Sequence, residues 1–400
     1  MQTRMLKFRL YPNTSQKQIL EQTLEDCRHI YNTLLANHKK TYEETGKILS
    51  QYDMNKALKH LKDRTPILFG VYSQILQNVS KRIKDGYTNF FARRKAGLKA
   101  GLPRFKKYGR YKSITYPQSG FKIVETEKRL NVLSLSKIGN VPIRMHRKVE
   151  GKIKTLTVKR MPSGKWFAVF SCVVKESLRA KPFKDVGVDM GLNSFAVLSN
   201  GSRMENPRFY RSREKQLKRV QRRLSRTKKG SKNRGKNRIK VARLHEKIEN
   251  QRNDFLHKVS RQIVDNYQTV YVEDLKITNM VQNHCLAKSI SDAGWGRFIK
   301  MIAYKEEESG GQLIKVNPRN TTQLCSQCGE MVEKNLSVRI HECPFCGLVI
   351  DRDLNASRNI LRIGRESTEY KPEREETSIQ SLWVEQVSPM KQEALLLVGR

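Results

Sequence analysis

The sequence has 400 residues, of which 38% are hydrophobic, so it is long enough for two or three domains with buried cores. Its 79 Lys and Arg residues against 38 Asp and Glu residues give a formal net charge of +41, which favours a nucleic acid as partner. No stretch reaches the roughly 18 consecutive apolar residues of a membrane span, and Arg and Lys interrupt the amino terminus too often for a signal peptide. We therefore expect a cytoplasmic protein without membrane association.

The first half of the chain changes from a helical to a strand pattern. Residues 1–11 alternate as a strand does, residues 13–100 carry apolar positions mostly at helical spacing, and residues 102–175 show a period of two. Thr14 or Ser15 is suited to cap the first helix. The pattern predicts a small β-barrel or sandwich whose first strand is supplied by the amino terminus, with the helices inserted after it.

A second domain is expected to begin near residue 182. Apolar strands are predicted within residues 185–198, at 269–275 and at 312–317, and the last two flank a helix. Residues 211–252 contain 18 Lys or Arg and three acidic residues, and we interpret their middle, 227–238, as a flexible loop between two helices. The mixed-charge residues after Gly364 are predicted to be disordered.

Four of the seven cysteines lie in two C-x-x-C pairs. Cys325 and Cys328 are separated by fourteen residues from Cys343 and Cys346, and a glycine follows each pair. Such pairs are typical of a structural Zn²⁺ site, whose four thiolates leave no coordination position for a substrate water. An iron–sulfur site fits the same spacing, and His341 is an alternative ligand.

Three acidic residues stand at the ends of elements that are far apart in the sequence. Asp189 ends the strand VGVD, Glu273 ends VYVE, and Asp353 begins the helix after the cysteines. If the strands are parallel, their ends converge, and the carboxylates form a site for two Mg²⁺ or Mn²⁺ ions that hydrolyse a phosphodiester. A single acid at such a position is more often a turn or cap residue, and the neighbouring Asp274 and Asp351 stay alternative ligands.

Two helical segments are candidates for nucleic-acid contact. Residues 211–252 form either a solvated charged hairpin or a phosphate-binding surface, and we favour the second because counterion release adds affinity. Helix 73–94 combines basic side chains with amides, which read adenine edges in a major groove, although ordinary surface polarity explains it equally well. The candidate residues are Gln74, Gln77, Asn78, Lys81, Arg82, Arg222, Arg223 and Arg226.

A series of motifs resembles the TnpB family, transposon-encoded relatives of type V CRISPR effectors: RLYPNTSQKQIL, CRHIYN, GLPRFKK, VGVDMGLNSFAVLSNG, VYVEDL, CSQCG with CPFCG, and DRDLNASRNI. The resemblance covers residues 1–364. It implies an RNA-guided DNA endonuclease that uses a guide RNA from the transposon end and a motif beside its double-stranded DNA target. It also implies that Asp189, Glu273 and Asp353 match the catalytic acids. RNTTQLCS departs from the relatives, which commonly have an aromatic residue and Thr-Ser there.

The resemblance further implies an α+β multidomain protein. A helical insert in an oligonucleotide-binding-like β-barrel is followed by an RNase H-like (RuvC) α/β nuclease domain with an inserted zinc ribbon. The expected parts are a first barrel strand at 1–12, a helical recognition domain at 13–100, the rest of the barrel (wedge) at 101–181, the nuclease domain at 182–320 and 350–365, the zinc ribbon at 321–349 and a disordered tail at 366–400.

Two rival functions stay open at this point. One is a guide-dependent DNA-binding repressor that does not cleave, and the other is a DNA transposase that uses the same acids. In the endonuclease interpretation, we expect the protein to act as a monomer with its RNA and to associate with the nucleoid of a prokaryote.

Overall fold

The structure, a computed structural model, describes residues 2–127, 129–174, 182–335 and 337–369. It divides into two compact units, one of Met1–Ala180, Arg208–His257 and Glu308–Gly310, and one of Lys181–Pro207, Lys258–Glu307 and Gly311–Arg400. Residues 208–257, which the sequence assigned to the nuclease domain, thus belong to the first unit by their contacts. The domain boundaries themselves stay predictions. Among the described residues, each helix is too short or too polar to cross a bilayer.

The first unit is built on a seven-stranded sheet that curls into a nearly closed barrel. Its spatial order is β2-β6-β7-β1-β5-β4-β3. The strands are β1 (Gln2–Leu10), β2 (Ser113–Tyr116), β3 (Phe121–Val124), β4 (Asn131–Leu135), β5 (Gly139–Arg144), β6 (Lys152–Arg160) and β7 (Trp166–Val174). Because β1 pairs with both β5 and β7, the amino terminus supplies a central strand, as its alternating pattern predicts.

Three α-helices and one 3₁₀ helix (Pro66–Gly70) are inserted between β1 and β2, and the α-helices are α1 (Thr14–Thr45), α2 (Gln51–Arg64) and α3 (Ser73–Lys95). The prediction that Thr14 or Ser15 caps α1 is wrong, since Asn13 occupies that position. The Asn13 side chain accepts a hydrogen bond from the Gln16 backbone N–H at 2.8 Å, and the Gln16 side chain accepts one from the Asn13 backbone N–H at 3.0 Å. Apolar residues of the helices and of the barrel form one continuous core.

The basic segment contributes two helices, α4 (Phe209–Ser225) and α5 (Lys232–Asn266). The loop predicted at 227–238 is therefore too long, because α5 already begins at Lys232 and continues through Gly235. Ser231 explains the early start. Its hydroxyl accepts a hydrogen bond from the Arg234 backbone N–H at 3.1 Å, which satisfies one of the free donors of the first turn.

The second unit contains a five-stranded sheet in the order β10-β9-β8-β11-β12. The strands are β8 (Asp185–Asp189), β9 (Ser194–Leu198), β10 (Arg203–Glu205), β11 (Thr269–Glu273) and β12 (Gln312–Val316). β9 is antiparallel to β8 and β10, whereas β11 is parallel to β8 and β12. The other elements are α6 (Ile277–Met280), α7 (His284–Ala293), α8 (Trp295–Ser309), β13 (Ile340–Glu342), β14 (Val349–Asp351) and α9 (Arg352–Glu369).

Helix α9 contacts β8, β9, β11 and β12, and two glycines permit this close packing. A Cβ atom at Gly187 of β8 would overlap the backbone of α9, lying 2.7 Å from the Leu361 nitrogen. A Cβ atom at Gly364 of α9 would overlap the ring of Tyr271 on β11. Residues 366–369, expected to be disordered, are the end of this helix, and the rest of the predicted tail lies outside the described residues.

Candidate functional site

Asp189 and Glu273 are the last residues of two adjacent parallel strands. β8 and β11 pair Val188 with Val272, so the next residue of each strand lies at the same edge of the sheet, where neighbouring strands are about 4.8 Å apart. Both acids are buried, with exposed fractions of 9% and 8%. The buried apolar residues before them anchor both strands in the core and thereby fix the two carboxylates.

Asp353, in the first turn of α9, interacts electrostatically with Asp189. Burial raises the pKa of Asp189 well above its ordinary value, and the charges of Glu273 and Asp353 raise it further, while Arg352 lowers it. Burial also raises the pKa of Glu273, and the hydrogen bond from Thr321 lowers it. Asp189 is therefore coupled electrostatically to both of the other acids predicted from the sequence.

The oxygens of the three carboxylates are not gathered into a preformed metal site in this structure. Among the residues that the structure describes, only the four paired cysteines offer three or more His, Cys, Asp or Glu ligand atoms within 4.8 Å of one another. Carboxylate oxygens are nevertheless the ligands that Mg²⁺ and Mn²⁺ prefer. A divalent cation would also neutralise the charges that raise the Asp189 pKa, so these residues fit such an ion.

Asp351 has a structural role that separates it from Asp353. Its carboxylate accepts hydrogen bonds from the backbone N–H groups of Asp353 and Leu354 at 3.0 and 3.1 Å, so it caps α9. It also pairs with Arg203 at 3.0 Å. Asp353 is therefore not the cap of the helix, and its side chain lies 3.6 Å from that of Arg352.

Glu273 and its neighbour Asp274 likewise differ. Asp274 is exposed and pairs with Lys315 at 2.9 Å, whereas Glu273 Oε1 accepts a hydrogen bond from the hydroxyl of Thr321 at 2.6 Å. Sequence reasoning missed Thr321, although it lies in the segment RNTTQLCS that departs from the relatives. A threonine 48 positions away from its partner gives no local signal.

The four paired cysteines come together as the sequence predicts. The sulfurs of Cys325 and Cys346 are 3.6 Å apart, and those of Cys328 and Cys343 are 3.5 Å apart. Four sulfurs at about 2.3 Å from a Zn²⁺ ion have edges of about 3.8 Å, so the thiols already fit that ion. His341 is outside this group of four; it is buried beside the group.

Both cysteine pairs adopt the same turn. The backbone N–H of Gly329 donates to the Cys325 carbonyl at 3.0 Å, and that of Gly347 donates to the Cys343 carbonyl at 2.9 Å. These glycines have φ angles of +83° and +73°, which favour glycine. Burial raises the pKa of the Cys325 thiol, but backbone N–H groups of the turn, first that of Cys328, outweigh it and lower this pKa to about 6.

Two buried asparagines bond α9 to the first cysteine turn. Asn355 donates to the Leu324 carbonyl at 2.7 Å and accepts from the Ser326 backbone N–H at 2.9 Å. Asn359 donates to the carbonyls of Leu324 at 2.6 Å and Thr321 at 3.0 Å. Because the two asparagines are four residues apart, they lie on one face of the helix. The helix that carries the third acid is thus fixed directly to the cysteine cluster.

Two of the nucleic-acid candidates on α3 have internal partners. The guanidinium of Arg82 donates hydrogen bonds of 2.9 Å to Asn78 Oδ1, to the Ser113 carbonyl and to Thr115 Oγ1, and it lies over the ring of Tyr111. Arg82 thereby joins α3 to β2, and the contact of Arg82 and Asn78 with nucleic acid stays a prediction.

The other candidates on α3 lie closer to solvent. Gln77 and Lys81 are exposed one turn apart, and Lys81 lies 3.7 Å from Asp85. Gln74 is half-buried. A nucleic-acid contact of these three residues stays a prediction.

A basic cleft of about 770 Å³ lies along α4. Arg222, Arg223 and Arg226 line it, together with Lys215, Lys218, Arg219 and Thr227. All but one of the lining side chains are cationic, so the cleft suits a polyanion.

Three family models match successive parts of the chain. The model described as "Probable transposase" of the OrfB IS605 family matches residues 170–284, and the model described as "Cas12f1-like, TNB domain" matches 295–360. A model of the OrfB family described as "Helix-turn-helix domain" matches residues 1–47. In this structure, residues 2–45 form strand β1 and helix α1 instead of a helix-turn-helix.

Relatives match nearly the whole chain. The "Putative RNA-guided DNA endonuclease InsQ" of Escherichia coli (strain K12) is 34% identical over 377 residues, covering 90% of this chain and 91% of the relative. The "Putative RNA-guided DNA endonuclease" of Streptomyces pristinaespiralis is 35% identical over 371 residues, covering 90% and 89%. The structure titled "Cryo-EM structure of the Cas12f1-sgRNA-target DNA complex" matches with a TM-score of 0.59 and 18% identity, covering 90% of this chain and 98% of that chain.

These comparisons define the class and then the family. The chain is an α+β protein with the fold of the Cas12f1 effector, a nearly closed β-barrel and a four-cysteine cluster. It belongs to the TnpB family, the OrfB proteins of IS605-type elements, and the resemblance carried by its sequence motifs is thereby confirmed.

Proposed function

We propose that this protein is a transposon-encoded, RNA-guided DNA endonuclease that hydrolyses phosphodiesters with two divalent ions. Two relatives that it matches over 90% of its length carry the RNA-guided activity in their names. The observation on this chain that supports the proposal most directly is the coupled group of Asp189, Glu273 and Asp353. A guide RNA from the transposon end and a target-adjacent motif in double-stranded DNA complete the proposal.

We assign the five-stranded sheet and α9 to an RNase H-like (RuvC) nuclease domain. The antiparallel strands β10, β9 and β8 followed by the parallel strands β11 and β12 support this assignment, as do acids at the ends of β8 and β11 and at the start of α9. We keep the predicted limits of 182–320 and 350–365 for this domain, with a zinc ribbon at 321–349. The barrel and its helical insert are the proposed binding part for guide RNA and the adjacent motif.

The chain's own residues supply position and charge at the site. Bound Mg²⁺ or Mn²⁺ ions would activate a water and stabilise the leaving oxygen of the phosphodiester. Asp189 and Glu273 are held by buried strands, and Asp353 is held by α9, which packs on the same sheet. Thr321 engages one oxygen of Glu273, so the carboxylate is oriented before any ligand arrives. All three acids must be deprotonated to act as ligands.

The four cysteines are the proposed ligands of a structural Zn²⁺ ion. Their spacing matches a tetrahedral sulfur shell, and such a closed shell has no open position for catalysis. The expected consequence of zinc binding is a fixed segment 321–349, to which α9 is hydrogen-bonded.

The basic cleft on α4 is the proposed contact for the phosphate backbone of the guide or of the guide–target heteroduplex. Each phosphate that it neutralises releases counterions, so the affinity for RNA should fall steeply with salt. Charge reversal at Arg222 and Arg223, both exposed, should reduce the slope of log affinity against log salt by about one unit for each phosphate that is no longer neutralised.

Cleavage by the purified protein with its copurified RNA tests the main proposal. We expect a plasmid that carries the guide-matched sequence to be cut in Mg²⁺, and RNase treatment to abolish cutting. The family description "Probable transposase" favours a second candidate, a strand-transferring transposase, which would instead yield joined DNA ends. Binding without cleavage would identify a guide-dependent repressor. A monomeric state with RNA and a nucleoid location stay predictions.

A further inference from the structure

The segment between the sheet and the first cysteine turn connects two groups that are separate in the sequence. Thr321, at one end of this segment, is 2% exposed and contacts Glu273. Cys325 lies four residues later within the cysteine cluster. Asn355 and Asn359 of α9 bond to the chain between them. We call residues 321–326 the bridge segment.

We propose that Thr321 is a positioning residue that orients Glu273 for cation binding, and that Asn359 holds Thr321 in place from α9. This inference deepens the proposed function and rests on the carboxylates being cation ligands. Thr321 itself touches neither cation nor substrate in this account, because its hydroxyl is already committed to Glu273 Oε1.

The contacts of Thr321 favour one orientation of its hydroxyl. The hydroxyl has two acceptors within reach, Glu273 Oε1 at 2.6 Å and the Pro318 carbonyl at 3.3 Å, and the shorter distance to Glu273 is typical of a hydrogen bond to a charged oxygen. The Thr321 carbonyl accepts a hydrogen bond from the side-chain amide of Asn359 at 3.0 Å, which ties the backbone of Thr321 to α9. Glu273 therefore has one oxygen occupied by a donor from the bridge segment, and its rotation is restricted.

The same contacts join the two candidate metal sites. Leu324, directly before Cys325, accepts hydrogen bonds from both asparagines of α9. A change at the cysteine cluster therefore reaches Glu273 through the bridge segment and Asp353 through α9.

Thr321→Val and Thr321→Ser test the role of the hydroxyl. Valine keeps the shape and removes the donor, whereas serine keeps the donor. Mn²⁺ binding is measured on the protein without guide or target DNA, by electron paramagnetic resonance titration, with Glu273→Gln to identify the Glu273-dependent ions. We expect the half-saturating Mn²⁺ concentration to rise about tenfold in Thr321→Val, because one hydrogen bond to a charged group is lost. In Thr321→Ser this concentration should stay within about twofold of the parent value.

Neighbouring Thr322 provides the matched control. Its hydroxyl makes no hydrogen bond within the described part of the chain, so Thr322→Val should bind Mn²⁺ as the parent does. Restored Mn²⁺ binding in Thr321→Ser is the result that a purely structural defect at Thr321→Val would not produce. Zinc content and melting temperature of each variant show that it is folded.

A second measurement tests the part assigned to Asn359. We expect Asn359→Ala to weaken Mn²⁺ binding as Thr321→Val does. The effect of Asn359→Ala should be smaller in a protein that already carries Thr321→Val, because both residues act on Glu273 through the Thr321 hydroxyl. Parent-like Mn²⁺ binding in Thr321→Val, or an equal loss in Thr321→Ser, would overturn the inference. A chain that binds Mn²⁺ with these shifts and cuts no DNA would refute the proposed function while leaving the inference intact.

Discussion

The cysteine cluster and the carboxylate group are two candidate metal sites built in opposite ways. The cysteines come from two short turns with the same hydrogen bonds, and their sulfurs already lie within 4.8 Å of one another. The carboxylates come from three elements and, among the described residues, form no comparable cluster of ligand atoms. Burial raises the pKa of Asp189, and the neighbouring carboxylates raise it further. Two short turns are enough to gather the cysteines, whereas buried carboxylates repel one another and need a rigid scaffold. The first site is thus expected to support the fold, and the second to be supported by it.

Breaking the cysteine cluster should have the largest effect on the fold. We expect the parent protein to contain one Zn²⁺ ion per chain and Cys343→Ser to lose it. Structural zinc contributes about 10–16 kcal/mol of apparent binding free energy in small zinc-dependent domains, so the loss should unfold segment 321–349 locally. Elemental analysis and limited proteolysis measure the two results. Cys285→Ser is the control, since Cys285 is exposed and outside the cluster. Full zinc content in Cys343→Ser would contradict the assignment.

Removing one of the three acids should have the opposite effect from breaking the cysteine cluster. We expect a large loss of cleavage activity while the fold stays intact. Glu273→Gln and Asp189→Asn should each slow guide-directed plasmid cleavage by about 1,000-fold or more, which corresponds to about 4 kcal/mol, while binding of the target DNA is kept. Asp274→Asn is the matched control, because Asp274 is exposed and paired with Lys315. Equal losses in Asp274→Asn and Glu273→Gln would show that the wrong acid has been assigned.

The two sites also differ in how much of them the sequence predicts. Two C-x-x-C pairs specify all four ligands, since each turn needs only the cysteines and the following glycine at a positive φ. For the carboxylates, strand ends predict Asp189 and Glu273, because parallel strands end at one edge. The choice of Asp353 over Asp351 requires the helix cap, which the sequence does not resolve.

Contacts between distant residues explain what the sequence cannot provide. Thr321 meets Glu273 across 48 positions, and no periodicity of either segment marks that pair. Likewise, the basic, amide-rich pattern of α3 does not reveal that Arg82 donates hydrogen bonds to β2. By contrast, the alternation of apolar residues predicts that the amino terminus forms a barrel strand, and only the pairing of β1 with both β5 and β7 shows that this strand is central.

Displacing α9 should damage the carboxylate group and spare the cysteine turns. In Gly187→Ala the added methyl group would overlap the backbone of α9. Such overpacking lowers the free energy of unfolding by about 1–3 kcal/mol. We expect cleavage to fall about tenfold and the melting temperature to fall, with zinc content unchanged. Gly235→Ala, in an open position of α5, should be neutral or stabilising by up to about 1 kcal/mol. Unchanged cleavage and melting temperature in Gly187→Ala would refute the tight packing of α9 on β8.

The smallest expected effect is the dependence of stability on pH and on divalent cations. The folded-state pKa of Asp189 is raised above its ordinary value of 3.8, so the folded chain holds a proton that the unfolded chain has already released. Without divalent cations, the contribution of this group to stability is therefore largest at low pH and declines as pH rises from 3.8 through the raised pKa. Each unit of that shift corresponds to about 1.4 kcal/mol.

Asp189→Asn removes this titration, so at pH 8 without added Mg²⁺ or Mn²⁺ the variant should melt a few degrees above the parent, at about 2–4 °C per kcal/mol. Adding Mg²⁺ should stabilise the parent, because the ion favours the deprotonated carboxylates of the folded state, and should stabilise the variant less. The cysteine cluster predicts no such response to Mg²⁺, since thiolates are poor ligands for that ion. Melting curves of both proteins at pH 5 and pH 8, with and without Mg²⁺, test this prediction. The carboxylates account for the cation response only if Mg²⁺ raises the melting temperature of the parent at pH 8 by more than that of Asp189→Asn.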